Sequence, residues 1–161
     1  MTLVSKLRQK LSDEKPCANR HDLQVADPES GSAVTLAIKQ RDGLSSLVWE
    51  MRVRRPAPAG QTMRQWAERI AARVTYLLEP LKVLEVDTER NQAMLRGVVS
   101  GEPKDGVSYF EVILDGTTSA LVRRYQVAGV ADAAGNLPKR EQVAFALTHE
   151  GLLKLVGDVN A

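Results

Sequence analysis

The sequence predicts an α+β fold: an antiparallel sheet of roughly six or seven strands, made of a hairpin and a meander, packed on one long helix, with short N- and C-terminal helices. Two alternating apolar runs surround Asp42-Gly43, and a helical apolar period covers residues 62–79. After Pro80 the alternation continues, without the strand–helix rhythm of a parallel sheet. With 161 residues and 43% hydrophobic content, the chain has the size of a single domain, residues 1–161.

The N-terminal region is expected to contain a short amphipathic helix over residues 3–11. Leucines recur on one side of it, at Leu3, Leu7 and Leu11. The following segment, 12–31, is polar and contains two prolines. We therefore expect a partly ordered loop there, with one short strand around residues 23–25.

A hairpin is predicted over residues 33–55. Asp-Gly is the strongest short signal for a two-residue turn, because both central positions favour a positive φ. Folding the chain about Asp42-Gly43 places three pairs on one core face: Ile38 with Leu47, Leu36 with Trp49, and Val34 with Met51. Prolines and a glycine in 56–60 end this hairpin.

The long helix is predicted to begin after Thr62, a good N-cap, and to continue to Glu79, where Pro80 stops it. Its apolar residues recur at helical spacing, so they form the face that docks on the sheet. They are Met63, Trp66, Ala67, Ile70, Val74, Leu77 and Leu78.

Two further hairpins follow Pro80. The first joins residues 81–87 and 92–100 through a four-residue loop, which aligns Leu84 with Leu95 and Val86 with Ala93. The second joins 107–114 and 117–130 through Asp115-Gly116. A two-residue turn there aligns Phe110 with Leu121 and Val112 with Ser119, with Tyr109 opposite Val122 on the reverse face.

The C-terminal region admits two interpretations. Residues 139–157 have the length of one helix, but apolar and small residues alternate in the first half. We favour a strand over 141–147 and a helix over 149–156, with Thr148 as N-cap and Gly157 as the stop.

Composition argues against several classes of protein. The 22 basic residues nearly balance the 20 acidic ones, and aromatics make up only 4%, which argues against nucleic-acid binding as the main function. Cys17 is the single cysteine, which excludes an intrachain disulfide and a thiolate zinc site within one chain. The N-terminus lacks a continuous apolar segment, and no stretch approaches the ~20 apolar residues that span a bilayer. We expect a cytoplasmic protein without a membrane segment.

Catalytic groupings are also missing from the sequence. His21 and His149 each lie beside an acidic residue, and neither is near a nucleophile motif or at metal-ligand spacing. Glu85 and Asp87 share one strand face, but Arg96 is diagonal to Glu85, so we interpret the pair as a solvated face. We expect no catalytic residue, no metal and no cofactor.

Arginines on two strands are the candidate binding residues. Arg52 and Arg54 point away from the predicted core, and Arg124 shares the reverse face with Tyr109. Arg123 falls on the core side, where an arginine needs compensation. Three interpretations of Arg123 stay open. Its side chain reaches the rim of the core or pairs with a carboxylate, it holds a carboxylate or phosphate in a pocket, or the predicted register of this hairpin is wrong.

Apolar residues occupy both faces of the last hairpin. A sheet with one helix layer normally has a polar outer face. The reverse face here includes Ile113, Ala120 and Val122, which we assign to a self-interface in a homodimer. A terminal helix or a small-molecule groove are the alternatives for covering it.

The leading hypothesis is therefore a non-catalytic protein- or peptide-interaction module of the adaptor or chaperone type that self-associates. One alternative is nucleic-acid binding through Arg52, Arg54, Arg55 and Arg124 with Tyr109. The other is an enzyme or small-ligand site around Arg123, with Glu111 or the Glu85/Asp87 pair as its carboxylates.

Overall fold

A computed structural model describes residues 1–98, 106–127, 133–135 and 139–161. Within these ranges it contains three helices and nine strands, all paired antiparallel, which confirms the α+β class. In chain order the elements are α1 (Leu3–Asp13), β1 (His21–Asp27), β2 (Ser32–Arg41), β3 (Ser45–Arg54), α2 (Met63–Arg73), β4 (Leu81–Asp87), β5 (Gln92–Gly97), β6 (Val107–Asp115), β7 (Ser119–Val127), β8 (Arg140–Val143), β9 (Phe145–Thr148) and α3 (His149–Asn160). The ends of the predicted strands 92–100 and 117–130 fall outside the described residues.

The strands form one open sheet in the order β1-β2-β3-β7-β6-β5-β4. β3 and β7 pair only over Met51–Arg54 and Ser119–Val122, and then separate. The gap between them, which we call the fork, holds β8 along β7 and β9 along β3. Ala144 separates these two short strands, so the single strand predicted over 141–147 is wrong.

One hydrophobic core unites the helices with one face of the sheet, which we call the helix side. Arg55 at the end of β3 ties several elements together: it donates to the carbonyls of Thr117 and Ala161 and lies 3.8 Å above the Trp66 ring of α2. The Trp66 indole N–H donates in turn to the Val159 carbonyl of α3. The indole and guanidinium therefore hold α2, α3 and the β6–β7 loop in place.

The prediction of one long helix up to Glu79 is wrong. Thr62 caps α2 as predicted, in a capping box with Gln65, but the helix ends at Arg73. A β-branched pair and an aromatic follow, Val74-Thr75-Tyr76, and such residues favour helix less. Glu79 instead leaves the helical path, because its carboxylate accepts the Phe110 backbone N–H at 2.9 Å.

The first hairpin differs from its predicted register. Asp42 Oδ1 accepts from the backbone N–H groups of Leu44 and Ser45, so its side chain closes a three-residue loop instead of a two-residue turn. Leu36 consequently lies opposite Met51. Trp49 and Lys39 are the extra residues at two register shifts, and Lys39 Nζ lies 4.7 Å from the Trp49 ring centre.

The core face of β3 changes accordingly. It carries Val48, Met51 and Val53, all fully buried, whereas the predicted core residues Leu47 and Trp49 are half-buried. In the β4–β5 hairpin, the pairing of Val86 with Ala93 is confirmed. Leu84 falls in a register shift and is 49% exposed, and Val83 takes its place opposite Leu95.

The β6–β7 hairpin is shifted by three residues from the prediction. Its loop contains three residues, beginning with Gly116 at φ 59°, so Asp115 lies opposite Ser119 and Phe110 opposite Arg124. An odd shift exchanges the two faces of β7. Arg124 therefore lies on the helix side and Arg123 on the opposite, outer face.

The terminal regions are more ordered than expected. Within the predicted 12–31 loop, β1 is a full strand that pairs with β2 along its whole length. Thr148 caps α3 as predicted, and its hydroxyl accepts the Gly151 N–H. The helix continues through Gly157, which lies beside Val4 of α1: a Cβ there would lie 3.4 Å from the valine methyl, an ordinary contact distance.

The acid sensitivity of the fold is expected to depend on Asp27, which is 4% exposed and binds Lys6 of α1 at 2.8 Å. Hydrogen bonds from Lys6 and Ser30 lower the pKa of Asp27 from 3.8 to about 2. A lowered folded pKa stabilises the protein above about pH 4, and this contribution is lost as the pH falls through about 2.

We therefore predict that Asp27→Asn is less stable than the wild type at pH 5 but loses less stability on going from about pH 4 to about pH 2. Urea denaturation at successive pH values measures this slope. Asp22→Asn, on the same strand but without an ion pair in the described chain, is the control. Equal slopes for wild type and Asp27→Asn would contradict the prediction.

Candidate interaction surfaces

On the outer face, charged residues from four adjacent strands form a line across the sheet. This charge row consists of Glu50, Arg123, Glu111 and Arg96, on β3, β7, β6 and β5. Arg123 Nη2 lies 2.8 Å from Glu50 Oε1, and Arg96 Nη2 lies 3.1 Å from Glu111 Oε2. Because the signs alternate, the row neutralises itself.

Glu111 is the buried member of the row, at 4% exposure. It accepts a second charged hydrogen bond, at 2.6 Å, from Arg140 Nη1 of β8. A buried carboxylate without cations would be strongly destabilising, and the fold brings two arginines to this one. The neighbouring Tyr109 hydroxyl and the Glu111 carboxylate raise the pKa of Arg140.

Two tyrosines extend this network toward the fork. Tyr109 and Tyr125 lie opposite each other, with ring centres 6.1 Å apart. Arg140 lies 3.9 Å above the Tyr125 ring and Arg96 lies 4.9 Å above that of Tyr109. Burial lowers the pKa of Arg123, but bonds to Tyr125 and Glu50 outweigh it and raise that pKa. These arginines are thus already bound within the chain.

The next line of residues has a different character. This interface row runs across five adjacent strands as directly opposed residues: Arg52, Leu121, Ile113, Met94 and Glu85. Its three central residues are apolar and half-buried, whereas Glu85 is exposed. In the described part of the chain, neither Arg52 nor Glu85 has an ion-pair partner.

A groove of about 770 Å³ opens on the helix side, next to the fork. Phe110 and Phe145 form its floor with their rings edge to face, 5.1 Å apart. Residues 76–78 form one wall, in which Leu78 is 82% exposed. The first turns of α3 form the other wall, including Lys154.

Tyr76 stiffens the first wall of the groove. Its hydroxyl donates to Asp158 Oδ2 at 2.7 Å, which attaches the segment after α2 to α3. Burial, together with this bond, raises the pKa of Tyr76, so the hydroxyl remains a donor. Lys154 Nζ lies 4.8 Å from the centre of the same ring and has no carboxylate partner among the described residues.

The predicted binding residues do not form one surface. Arg52, Arg54, Arg123 and Tyr109 lie on the outer face, but Arg124 is on the helix side. Arg124 Nη1 donates to Glu79 Oε1 at 3.1 Å and its guanidinium lies 4.5 Å from the Phe110 ring centre. The three-residue loop before β7 causes this separation.

The predicted nucleic-acid site and the predicted small-ligand site around Arg123 are also incomplete in the structure. Arg55 is 7% exposed and stacked on Trp66. Within the described ranges, the arginines of the predicted nucleic-acid set that lie on the outer face without an ion pair are Arg52 and Arg54. Arg123 binds Glu50 instead of facing a pocket. Arg96 binds Glu111 rather than Glu85.

The predicted self-interface is wrong in two of its three residues. Ala120 and Val122 are fully buried beneath the helices, and Ile113 alone of the three lies on the outer face. Leu121 and Met94 are absent from the predicted self-interface. The predicted register places Leu121 on the core face, and Met94 belongs to no predicted face. Arg140 carries no sequence signal, since its partner Glu111 is 29 residues away.

Comparison with protein-family models, with curated proteins and with solved structures finds no match. In the described part of the chain, no helix is long and apolar enough to cross a membrane. Nor do the described residues contain a group of three or more His, Cys, Asp or Glu side chains that could hold a metal ion.

Replacing Glu111 by glutamine should reveal how much the outer-face network stabilises the fold. The change keeps the shape but leaves Arg96 and Arg140 without their carboxylate. We expect the free energy of unfolding to fall by about 2 kcal/mol in urea denaturation. The control, Glu68→Gln, removes an exposed carboxylate of α2 that has no ion pair among the described residues, and it should change this free energy by less than about 0.5 kcal/mol. Equal effects of the two substitutions would contradict a structural role for Glu111.

Proposed function

We propose that this protein is a non-catalytic interaction module that binds an extended, apolar peptide segment of a partner protein in the helix-side groove. One observation carries the proposal: the groove is open to the edge of a strand, and not only to its face. Such an edge offers backbone hydrogen bonds to an added strand, which is a common mode of peptide recognition.

The contact between groove and strand edge follows from the lining residues. Five consecutive residues, 144–148, line the groove. Successive side chains of a strand point to opposite faces, so a cavity that touches all of them lies along the edge. β9 pairs with β3 on its other side, and no described strand pairs with the edge that faces the groove.

The side chains around this edge favour apolar partners with an acidic residue. Phe110, Phe145 and the exposed Leu78 supply apolar surface, and the volume is in the range of known ligand sites. An extended peptide places alternate side chains toward such a floor. Lys154, at the α3 wall and without a carboxylate partner in the part of the chain that the structure describes, is complementary to a carboxylate of the peptide.

Leu78 provides the sharpest test, because its 82% exposure means that a substitution should not disturb the core. The probes are two fluorescein-labelled peptides of about ten residues, with valine and serine alternating and one terminal aspartate. In the second peptide, two prolines replace serines and prevent strand pairing. Fluorescence anisotropy should show binding of the first peptide and at least about tenfold weaker binding of the second.

In the protein, Leu78→Asp should weaken binding of the first peptide by about tenfold or more. Leu44→Asp is the matched control, since Leu44 is 80% exposed but lies outside the groove. It should bind like the wild type. Binding that is insensitive to both the prolines and Leu78→Asp would contradict the proposal.

A further inference from the structure

The interface row has a symmetric layout: an apolar centre lies between two opposite charges at equal distances from it. Along the sheet order β3-β7-β6-β5-β4, the middle strand is β6, which carries Ile113. Arg52 lies two strands to one side and Glu85 two strands to the other. With strands about 4.8 Å apart, both charges are about 10 Å from Ile113.

This symmetry makes the row complementary to a second copy of itself. A two-fold axis that runs along β6 between two facing sheets reverses the order of the strands and keeps the rows aligned. Arg52 of one copy then faces Glu85 of the other, twice per dimer. The apolar centres, made of Leu121, Ile113 and Met94, cover each other.

We propose that two copies of this chain pair through their outer sheet faces in this arrangement. The pairing uses the face opposite the groove and does not rest on peptide binding. It covers the half-exposed apolar residues of the interface row and pairs Arg52 and Glu85, which have no ion-pair partner among the described residues. In the charge row, Arg123 of one copy lies over Arg96 of the other, and the two Glu111 residues meet at the axis. Each of these charges is paired within its own chain, which reduces their repulsion without removing it.

The neighbouring row of outer-face residues, one step closer to the β6–β7 loop, supports the same relative orientation of the two copies. Its directly opposed residues are Arg54, Ser119, Asp115, Gln92 and Asp87. In the proposed dimer Arg54 faces Asp87, whose one ion-pair contact among the described residues is with Arg90 at 3.8 Å. The two copies of the exposed Asp115 meet at the axis, which opposes pairing and limits its strength.

Charge reversal tests the pairing between Arg52 and Glu85 directly. Sedimentation velocity should show a dimer for the wild type, and dissociation constants at least about tenfold higher for Arg52→Glu and for Glu85→Arg. Each variant alone faces like charges across the interface. Mixed in equal amounts they form a heterodimer in which positions 52 and 85 again carry opposite charges, so the mixture should regain the dimer.

Two further variants complete the experiment. Arg73→Glu, an exposed reversal at the end of α2, should leave the dimer unchanged. Asp115→Asn should tighten it, because it removes the repulsion at the axis. Circular dichroism confirms that each variant is folded.

A monomeric wild type would overturn the proposal, and so would a dimer that neither reversal weakens or a mixture that fails to regain the dimer. Any of these results leaves peptide binding in the groove unaffected, since Leu78 lies on the other side of the sheet. Conversely, loss of peptide binding in Leu78→Asp should not change the dissociation constant of the dimer.

Discussion

The buried carboxylate of Glu111 is the constraint on which both surfaces of this protein depend. A carboxylate at 4% exposure must be compensated, and the cations come from two different strands, Arg96 on β5 and Arg140 on β8. Arg96 comes from the strand beside β6, whereas Arg140 belongs to a strand that pairs only with β7. The carboxylate therefore attaches β8 to the middle of the sheet.

This attachment has consequences on both faces. On the helix side, β8 in the fork directs the chain through Ala144 into β9, and the edge of β9 forms part of the groove. On the outer face, the charges of the row that contains Glu111 are used internally. In the neighbouring interface row, Arg52 and Glu85 have no ion-pair partner among the described residues, and they lie on opposite sides of an apolar centre. The two proposed interactions thus use opposite sides of one sheet.

Local signals in the sequence predict the elements well and their registers poorly. Thr62 and Thr148 cap helices where expected, because capping depends only on neighbouring residues. The predicted strand registers are wrong next to Asp42 and Gly116, because the chain forms three-residue loops there instead of two-residue turns. Since the shift at β7 was odd, it exchanged Arg123 and Arg124 between the faces, and the expected site changed with them.

Long-range contacts explain the remaining differences. α2 ends early, and Glu79 beyond it binds the Phe110 backbone and Arg124, residues that lie far along the chain. The cations around Glu111 likewise meet only after β5, β6 and β8 have assembled. No pattern within a short window of sequence contains this information.

Hydrogen exchange of Arg140→Met, followed by mass spectrometry, tests the central role of Glu111 most directly. This substitution removes the link to β8 and leaves Arg96 on Glu111. If the carboxylate holds β8 in the fork, amides of residues 140–148 should exchange at least about tenfold faster, while β5 and β6 keep their protection. Unchanged exchange in 140–148, or equally faster exchange throughout the sheet, would contradict this account.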